Sequence, residues 1–157
     1  DWQAILINWD CKTDSGLVHY DPRPLVERFT VSLSPIDKPV QYGNIPENAH
    51  VKCILKGGRD GMLFYSNPHV PNTPLICYNA SGIRCSNAPW QPIDYGMARF
   101  LHFTTKTAEE YCNKLAKGTP DRTYDVFLQT YVGRFWGYNE RTEEKIKFFQ
   151  ERGYSGV

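Results

Sequence analysis

The chain has 157 residues with a formal net charge of +1; 41% of them are hydrophobic and 22% are charged. These values suit one compact globular domain and exclude a wholly disordered chain. The sequence contains no long run of Lys and Arg, no signal peptide and no apolar stretch near the roughly 20 residues of a membrane span, so it predicts neither a nucleic-acid-binding surface nor a transmembrane segment.

Six segments of the first two thirds of the chain are predicted to be extended. They are residues 4–9, 28–31, 49–56, 75–78 with 83–85 as a short hairpin, and 98–103. The first is a continuous apolar run, and the third alternates apolar and polar residues, as half-buried strands do. Residues 60–96 are rich in proline and glycine, which is typical of a functional or lid-like segment.

Three helices are predicted after the last strand. They are residues 108–117, 125–135 and 142–152. Thr107 and Glu110 form the pattern of a capping box at the start of the first helix, and Gly118 and Gly153 end the first and third. Because the predicted strands come first in the sequence and the predicted helices last, the chain is assigned to the α/β class, with a mixed sheet flanked by helices.

The segment between the last strand and the first long helix carries the main candidate site. His102 ends the strand, and Thr105 and Lys106 lie in the loop before the helix. A helix N-terminus offers unpaired N–H groups and a partial positive charge, so this loop could bind a diphosphate. An imidazole beside it could ligate a divalent cation or donate to a phosphate oxygen. The alternative is a strand-end histidine bonded to backbone beside a solvated lysine.

Other candidate residues have weaker patterns. His69 lies between Pro68 and Pro71, a stiff loop that could hold an imidazole in a cleft or simply make a turn. Trp9 could stack on a sugar or fill a core. His50 has no supporting pattern. No spacing selects a catalytic carboxylate, and no Asp-x-Asp or Asp-x-Glu triplet is present, so the catalytic residue is unknown.

The five cysteines include no Cys-x-x-Cys pair. An odd number of scattered thiols argues against a structural zinc site or a disulfide framework and favours a cytoplasmic protein. A less favoured alternative is a cysteine hydrolase in which Cys53 or Cys85 pairs with a histidine.

Three blocks of the sequence resemble, in order, the glycosyltransferase family 92 type and its bacterial glycosyl-transferase-2-like relatives. The blocks are INW to ERF at 7–29, HVKCILK to PH at 50–69, and LHFTTKT to KG at 101–118. The chain departs from the family pattern at Lys12-Thr13, where an aromatic residue and glycine are common. It also has Phe103 in place of tyrosine and Lys117 in place of arginine.

The resemblance implies that residues 1–157 form a single domain, the C-terminal part of a GT-A glycosyltransferase catalytic domain. Such an enzyme transfers a hexose from a nucleotide-sugar donor to a glycan acceptor, here in polysaccharide or lipopolysaccharide biosynthesis. His102, Thr105 and Lys106 would face the donor diphosphate, with His102 also a metal ligand. The secondary candidates near the cleft are His69, Lys52 and Trp9.

The resemblance also implies that the acidic metal motif precedes residue 1. A divalent cation, Mn²⁺ or Mg²⁺, is expected in the complete enzyme, but not bound tightly by this chain, because one histidine cannot replace several oxygen ligands. Without the preceding strands, the first strand should leave an exposed edge, which predicts a homo-oligomer. The rival function is a noncatalytic carbohydrate-binding or assembly module.

Overall fold

The structure is a computed structural model that describes residues 1–33, 45–58, 69–118 and 124–154. Two compact units can be distinguished. The first comprises Asp1–Cys11 and Ser34–His102, and the second comprises Lys12–Leu33 and Phe103–Val157. The first unit contains a mixed sheet and the second contains helices, so the chain belongs to the α/β class. The prediction of a single domain over residues 1–157 stays a prediction.

Within the described residues, the first unit is built on a five-stranded sheet. Its strands are β1 (Ala4–Cys11), β2 (Val51–Leu55), β3 (Cys77–Asn79), β4 (Arg84–Cys85) and β5 (Phe100–His102). The main order is β2-β1-β3-β4; β1 is antiparallel to β2 and parallel to β3, and β3 and β4 form the predicted hairpin. The last strand, β5, pairs in parallel with the final three residues of β1.

The first strand is not an edge strand, which corrects the expectation from the sequence. Residues 4–6 of β1 pair with β2 on one side and with β3 on the other. Among the described strands, β2 and β4 stand at the ends of the main order instead. The prediction of a homo-oligomer was based on an exposed edge of β1, which the structure does not have. The homo-oligomer itself stays a prediction.

The core of the first unit explains why β1 occupies the centre. Ala4 and Leu6 are fully buried and alternate along β1, so they point to one face of the sheet. They pack with Val51, Val70 and Cys77 in one apolar cluster. The apolar run therefore forms the predicted strand, and the strand continues through two further buried residues to Cys11.

Residues 29–31 of the segment predicted to be extended form no regular strand, although Ser32 after them bridges Lys12, and the prediction is wrong at Arg28. A short helix, α1 (Leu25–Arg28), ends there, and the carbonyl oxygen of Pro24 accepts a hydrogen bond from the Arg28 N–H at 3.2 Å. The Arg28 guanidinium is buried and lies 2.9 Å from the Glu110 carboxylate. A proline-initiated turn and this distant ion pair outweigh the local preference of the sequence for a strand.

The three long helices of the second unit agree with the predictions. They are α2 (Ala108–Lys117), α3 (Tyr124–Tyr138) and α4 (Glu143–Gln150). The capping box of Thr107 and Glu110 is present, and Gly118 follows α2 with a positive φ of 65°. Side chains of all three helices, among them Leu115, Phe135 and Phe149, share one apolar core. Of the helices that the structure describes, none has both the length and the apolar character needed to cross a bilayer.

Candidate functional site

Three imidazoles surround the indole of Trp9 near the end of β1. The His102 ring stacks on it with centroids 3.9 Å apart, and the His50 ring stacks on it at 4.9 Å. The His69 ring approaches at 4.9 Å with a tilt of 50°. Trp9 is only 7% exposed, so the three imidazoles contact a buried indole. Three of the four histidines of the chain therefore meet at one buried side chain.

Four of the six residues that the sequence analysis selected lie in this group. Lys52 joins it, with its ammonium nitrogen 5.9 Å from the centroid of the Trp9 ring. We call Trp9, His50, Lys52, His69 and His102 the Trp9 cluster. The remaining two candidates, Thr105 and Lys106, belong to the second unit.

Strand pairing places these residues around the indole. Parallel pairing of β1 with β5 sets His102 opposite Cys11, the residue two positions after Trp9 on the same face of β1. On the other strand, the Trp9 N–H donates to the His50 carbonyl oxygen at 2.9 Å. Lys52 follows His50 by two residues, so strand alternation gives the two side chains the same face. The cluster thus depends on pairings that bring distant parts of the chain together.

Two hydrogen bonds define which imidazole nitrogens carry protons. The His69 Nδ1 lies 2.9 Å from the Val51 carbonyl oxygen, which can only accept, so Nδ1 carries the hydrogen. The indole N–H of Trp90 donates to His50 Nε2 at 2.7 Å, so that nitrogen is unprotonated. Both bonds are compatible with neutral imidazoles, the form that binds metals and accepts protons.

Burial keeps His69 neutral. Desolvation lowers the pKa of His69 below its usual value, and the nearby charge of Lys52 lowers it further. The hydrogen bond to the Val51 carbonyl oxygen opposes this shift but does not outweigh burial. At neutral pH the cluster therefore presents an uncharged imidazole beside the Lys52 ammonium.

A buried thiol orients His102. The sulfur of Cys11 lies 3.8 Å from His102 Nδ1, and Cys11 has no exposed surface. The two cysteines that the sequence analysis considered as nucleophiles lie elsewhere, packed against the core of the first unit. Burial raises the pKa of both Cys53 and Cys85, the opposite of what activates a thiol. The cysteine-hydrolase alternative therefore has no physical support at either residue.

A network of buried amides fixes the end of β1. The Asn8 side chain donates to the carbonyl oxygens of Asn48 and Ala49 at 3.3 and 3.2 Å and accepts from the Asp94 N–H at 3.0 Å. The Asn48 side chain in turn accepts from the Cys11 N–H at 2.9 Å. Two loops are thereby attached to the strand that carries Trp9, which gives the cluster a rigid base.

One buried carboxylate lies at the same end of the strand. Asp10 is 1% exposed and its side chain lies 3.4 Å from the Arg99 guanidinium. The Tyr95 hydroxyl donates to the Trp9 carbonyl oxygen at 2.7 Å, and burial together with the charge of Asp10 raises the pKa of Tyr95. Asp10 thus forms an ion pair with Arg99 near the Trp9 cluster.

The N-terminus of α2 does not offer unpaired N–H groups, so this part of the diphosphate prediction is wrong. Protein oxygens accept from each of the first three N–H groups of the helix. The pairs are Ala108 to Leu17 at 3.4 Å, Glu109 to Val18 at 2.9 Å, and Glu110 to the Thr107 hydroxyl at 3.1 Å. An anion at this loop would therefore be held by side chains.

The two loop candidates differ in exposure. Thr105 is 1% exposed, whereas the Lys106 side chain is 41% exposed and its ammonium lies 3.9 Å from the Glu110 carboxylate. Lys106 also has a positive φ of 57°, an uncommon backbone conformation for a residue other than glycine. His102 belongs to the first unit and Lys106 to the second. That both residues bind one pyrophosphate therefore stays a prediction.

No family model, curated protein or solved structure matches this chain. Within residues 1–33, 45–58, 69–118 and 124–154, no three or more His, Cys, Asp or Glu side chains are grouped so that they could hold a metal ion. The interpretation of the site therefore depends on its own geometry and on the sequence resemblance.

Sequence analysis missed His50, Cys11 and Asn8. His50 has a usable signal, because strand alternation places it on the same face as Lys52, a residue that was selected. Cys11 and Asn8 act through the pairing of β1 with distant segments, which no local pattern encodes. Trp136 packs against the core of the second unit, next to Phe149.

Proposed function

We propose that this chain is the C-terminal part of a glycosyltransferase catalytic domain that transfers a hexose from a nucleotide-sugar donor to a glycan acceptor. The observation that carries the proposal is the Trp9 cluster. Trp9, Lys52, His69 and His102 come from all three blocks of the resemblance, and they meet at one place within the first unit. The setting we propose is polysaccharide or lipopolysaccharide biosynthesis.

The position of the cluster supports a binding role. Trp9 and His102 lie at or near the carboxyl ends of β1 and β5, which run parallel. In open α/β sheets, ligands bind outside the carboxyl ends of the parallel strands, because loops and polar groups converge there. A GT-A donor site at this end would follow the same rule.

The residues have distinct roles in this proposal. Because His102 Nδ1 faces the Cys11 thiol, Nε2 is the nitrogen through which His102 would bind a cation or donate to a phosphate oxygen. Lys52 contributes a positive charge near the Trp9 ring. In the second unit, Lys106 and Thr105 are proposed to contact the donor diphosphate through side chains.

A divalent cation fits this site only in part. An imidazole is an acceptable ligand for Mn²⁺, but Mn²⁺ and Mg²⁺ also need several oxygen ligands, and no metal-holding group of three His, Cys, Asp or Glu side chains is found among the described residues. His102 would hold the cation together with acidic residues from elsewhere in the complete protein. When bound, the cation would neutralise charge on the diphosphate.

A noncatalytic carbohydrate-binding module is the second candidate. It is favoured by a cavity of about 300 Å³ in the first unit, lined by Trp2, Tyr78 and Asn79 among others. Trp2 is 38% exposed. Aromatic faces beside an amide suit a sugar ring, which needs both apolar contact and hydrogen bonds.

Calorimetric titration of the full gene product with UDP, GDP and CDP in the presence of Mn²⁺ tests the two candidates. We expect one nucleotide to bind, and we expect His102→Ala to weaken that binding at least tenfold while His19→Ala leaves it unchanged. His19 is the matched control because its side chain is 68% exposed and it lies outside the Trp9 cluster. If glycan oligosaccharides bind and no nucleotide does, the result would contradict the transferase proposal and favour the carbohydrate-binding module.

A further inference from the structure

A basic cavity lies beside α2, entirely within the second unit. Its volume is about 480 Å³, and the residues that line it include Thr105, Lys106, Glu110, Asn113, Lys114 and Lys117. We call this cavity the lysine pocket. Three ammonium groups thus share one cavity with a single carboxylate.

That carboxylate does not neutralise the lysines. Glu110 lies 2.9 Å from the Arg28 guanidinium, whose side chain is only 5% exposed, and it also accepts from the Thr107 hydroxyl at 3.1 Å. Its distance to the Lys106 ammonium is 3.9 Å, at the outer limit of an ion pair. Since Glu110 and Arg28 compensate each other, the lysine pocket keeps a net positive charge.

Lys114 is the best-positioned of the three lysines. Its ammonium lies over the faces of two tyrosine rings, 5.4 Å from the centroid of Tyr111 and 5.1 Å from that of Tyr131. These cation–π contacts fix the ammonium at the wall of the cavity. Lys114 is exposed as a whole residue, but partial desolvation lowers its pKa, and the charges of Arg134 and Lys106 lower it further. Crowded cations of this kind are stabilised when an anion binds between them.

A hydroxyl adds a hydrogen-bonding group to the same cavity. Thr105 lines the pocket, and its buried hydroxyl oxygen has no hydrogen-bond partner among the residues that the structure describes. Buried polar atoms without a partner are rare and require an explanation. The unmet hydrogen-bonding capacity of Thr105 therefore lies in the wall of the lysine pocket, beneath its accessible surface.

We infer that the lysine pocket binds a phosphate-bearing ligand, with Lys114 and Lys117 as its main contacts. Phosphate oxygens match a group of ammonium and hydroxyl donors, and a diphosphate or phosphomonoester carries the multiple negative charges that three lysines would bind. The cavity is larger than a phosphate group alone, so a sugar or nucleoside can remain attached. The inference extends the proposed function, on which it rests for Thr105 and Lys106, and it adds Lys114 and Lys117 as the main contacts.

Calorimetric titration of the full gene product with inorganic pyrophosphate tests the inference. We expect pyrophosphate to bind saturably. Lys114→Gln and Lys117→Gln should each weaken this binding at least fivefold, and the double variant should weaken it further. Lys147→Gln is the matched control, because that lysine is 78% exposed on α4, outside the pocket, and should leave the affinity unchanged. Absence of pyrophosphate binding, or equal binding by the double variant, would overturn the inference.

Two further titrations identify the source of the phosphate. If UDP binds more tightly than pyrophosphate and loses affinity in both lysine variants, the ligand is a nucleotide diphosphate. If glucose 1-phosphate does so instead, the ligand is a phosphorylated sugar. Lys117→Gln keeps the experiment interpretable if Lys114→Gln fails to fold, because Lys117 is exposed at the end of α2. A nucleotide that binds through His102 but not through these lysines would overturn this inference and leave the proposed function intact.

Discussion

The imidazole of His102 stacks on the indole of Trp9, with ring centroids 3.9 Å apart and the ring planes 27° apart. The contact exists because β5 pairs in parallel with the last three residues of β1, which sets His102 opposite Cys11. Two segments that are distant in sequence, β1 and β5, thereby hold His102, Trp9 and Cys11 together.

Replacing His69 should reduce the pH dependence of stability. Burial lowers the pKa of His69 from its ordinary value of 6.5, so below that pH the unfolded chain binds a proton that the folded chain does not. The stabilisation is therefore present above about pH 6.5 and is lost as the pH falls toward the lowered value. Urea denaturation between pH 8 and 5 should give a shallower decline in the free energy of unfolding for His69→Gln. An unchanged slope in His69→Gln, or an equal change in exposed His19→Gln, would contradict this account.

Two buried thiols should resist alkylation in the folded protein. Burial raises the pKa of Cys77 and of Cys112 to about 11. Since the thiolate is the reactive form, a rise from about 9 to about 11 reduces its fraction at pH 8 roughly 100-fold. Mass spectrometry after a short iodoacetamide treatment should find both unlabelled in the native protein and labelled in urea. If Cys77 and Cys112 are labelled in the native protein before the half-buried Cys53 and Cys85, the burial assigned to Cys77 and Cys112 is wrong.

Breaking the ion pair between Lys145 and Asp14 should destabilise the second unit. The Lys145 ammonium lies 2.6 Å from the Asp14 carboxylate, and the two side chains are 1% and 3% exposed. Removing one partner leaves a buried charge, so we expect Lys145→Ala to cost about 3–5 kcal/mol. Lys147→Ala breaks an exposed pair with Glu151 on the same helix and should cost less than about 0.5 kcal/mol. Similar costs for the two variants in urea denaturation would exclude a buried ion pair.

Local signals in the sequence predicted part of this structure. The capping box of Thr107 and Glu110 and the glycine at 118 gave the bounds of α2, because helix ends are encoded by neighbouring residues. The same local pattern suggested unpaired N–H groups at the helix start, and this was wrong because Leu17 and Val18, distant in sequence, supply the acceptors.

The candidate site could be predicted only in part, for the same reason. The resemblance selected Trp9 and His102, but their contact, the place of His50 and the thiol of Cys11 depend on strand register. Register is set by pairing between distant segments and by burial of one sheet face, neither of which a short sequence window contains.

The most direct test of the central claim measures hexose transfer from nucleotide sugars by the full gene product with Mn²⁺. His102→Phe keeps an aromatic ring against Trp9 but removes both imidazole nitrogens, and His19→Phe is its control. We expect the wild type and His19→Phe to transfer sugar. The transfer rate of His102→Phe should fall at least about 100-fold. The isolated 157-residue chain should show neither turnover nor tight Mn²⁺ binding. Transfer at the wild-type rate by His102→Phe, or turnover by the isolated chain, would contradict the account.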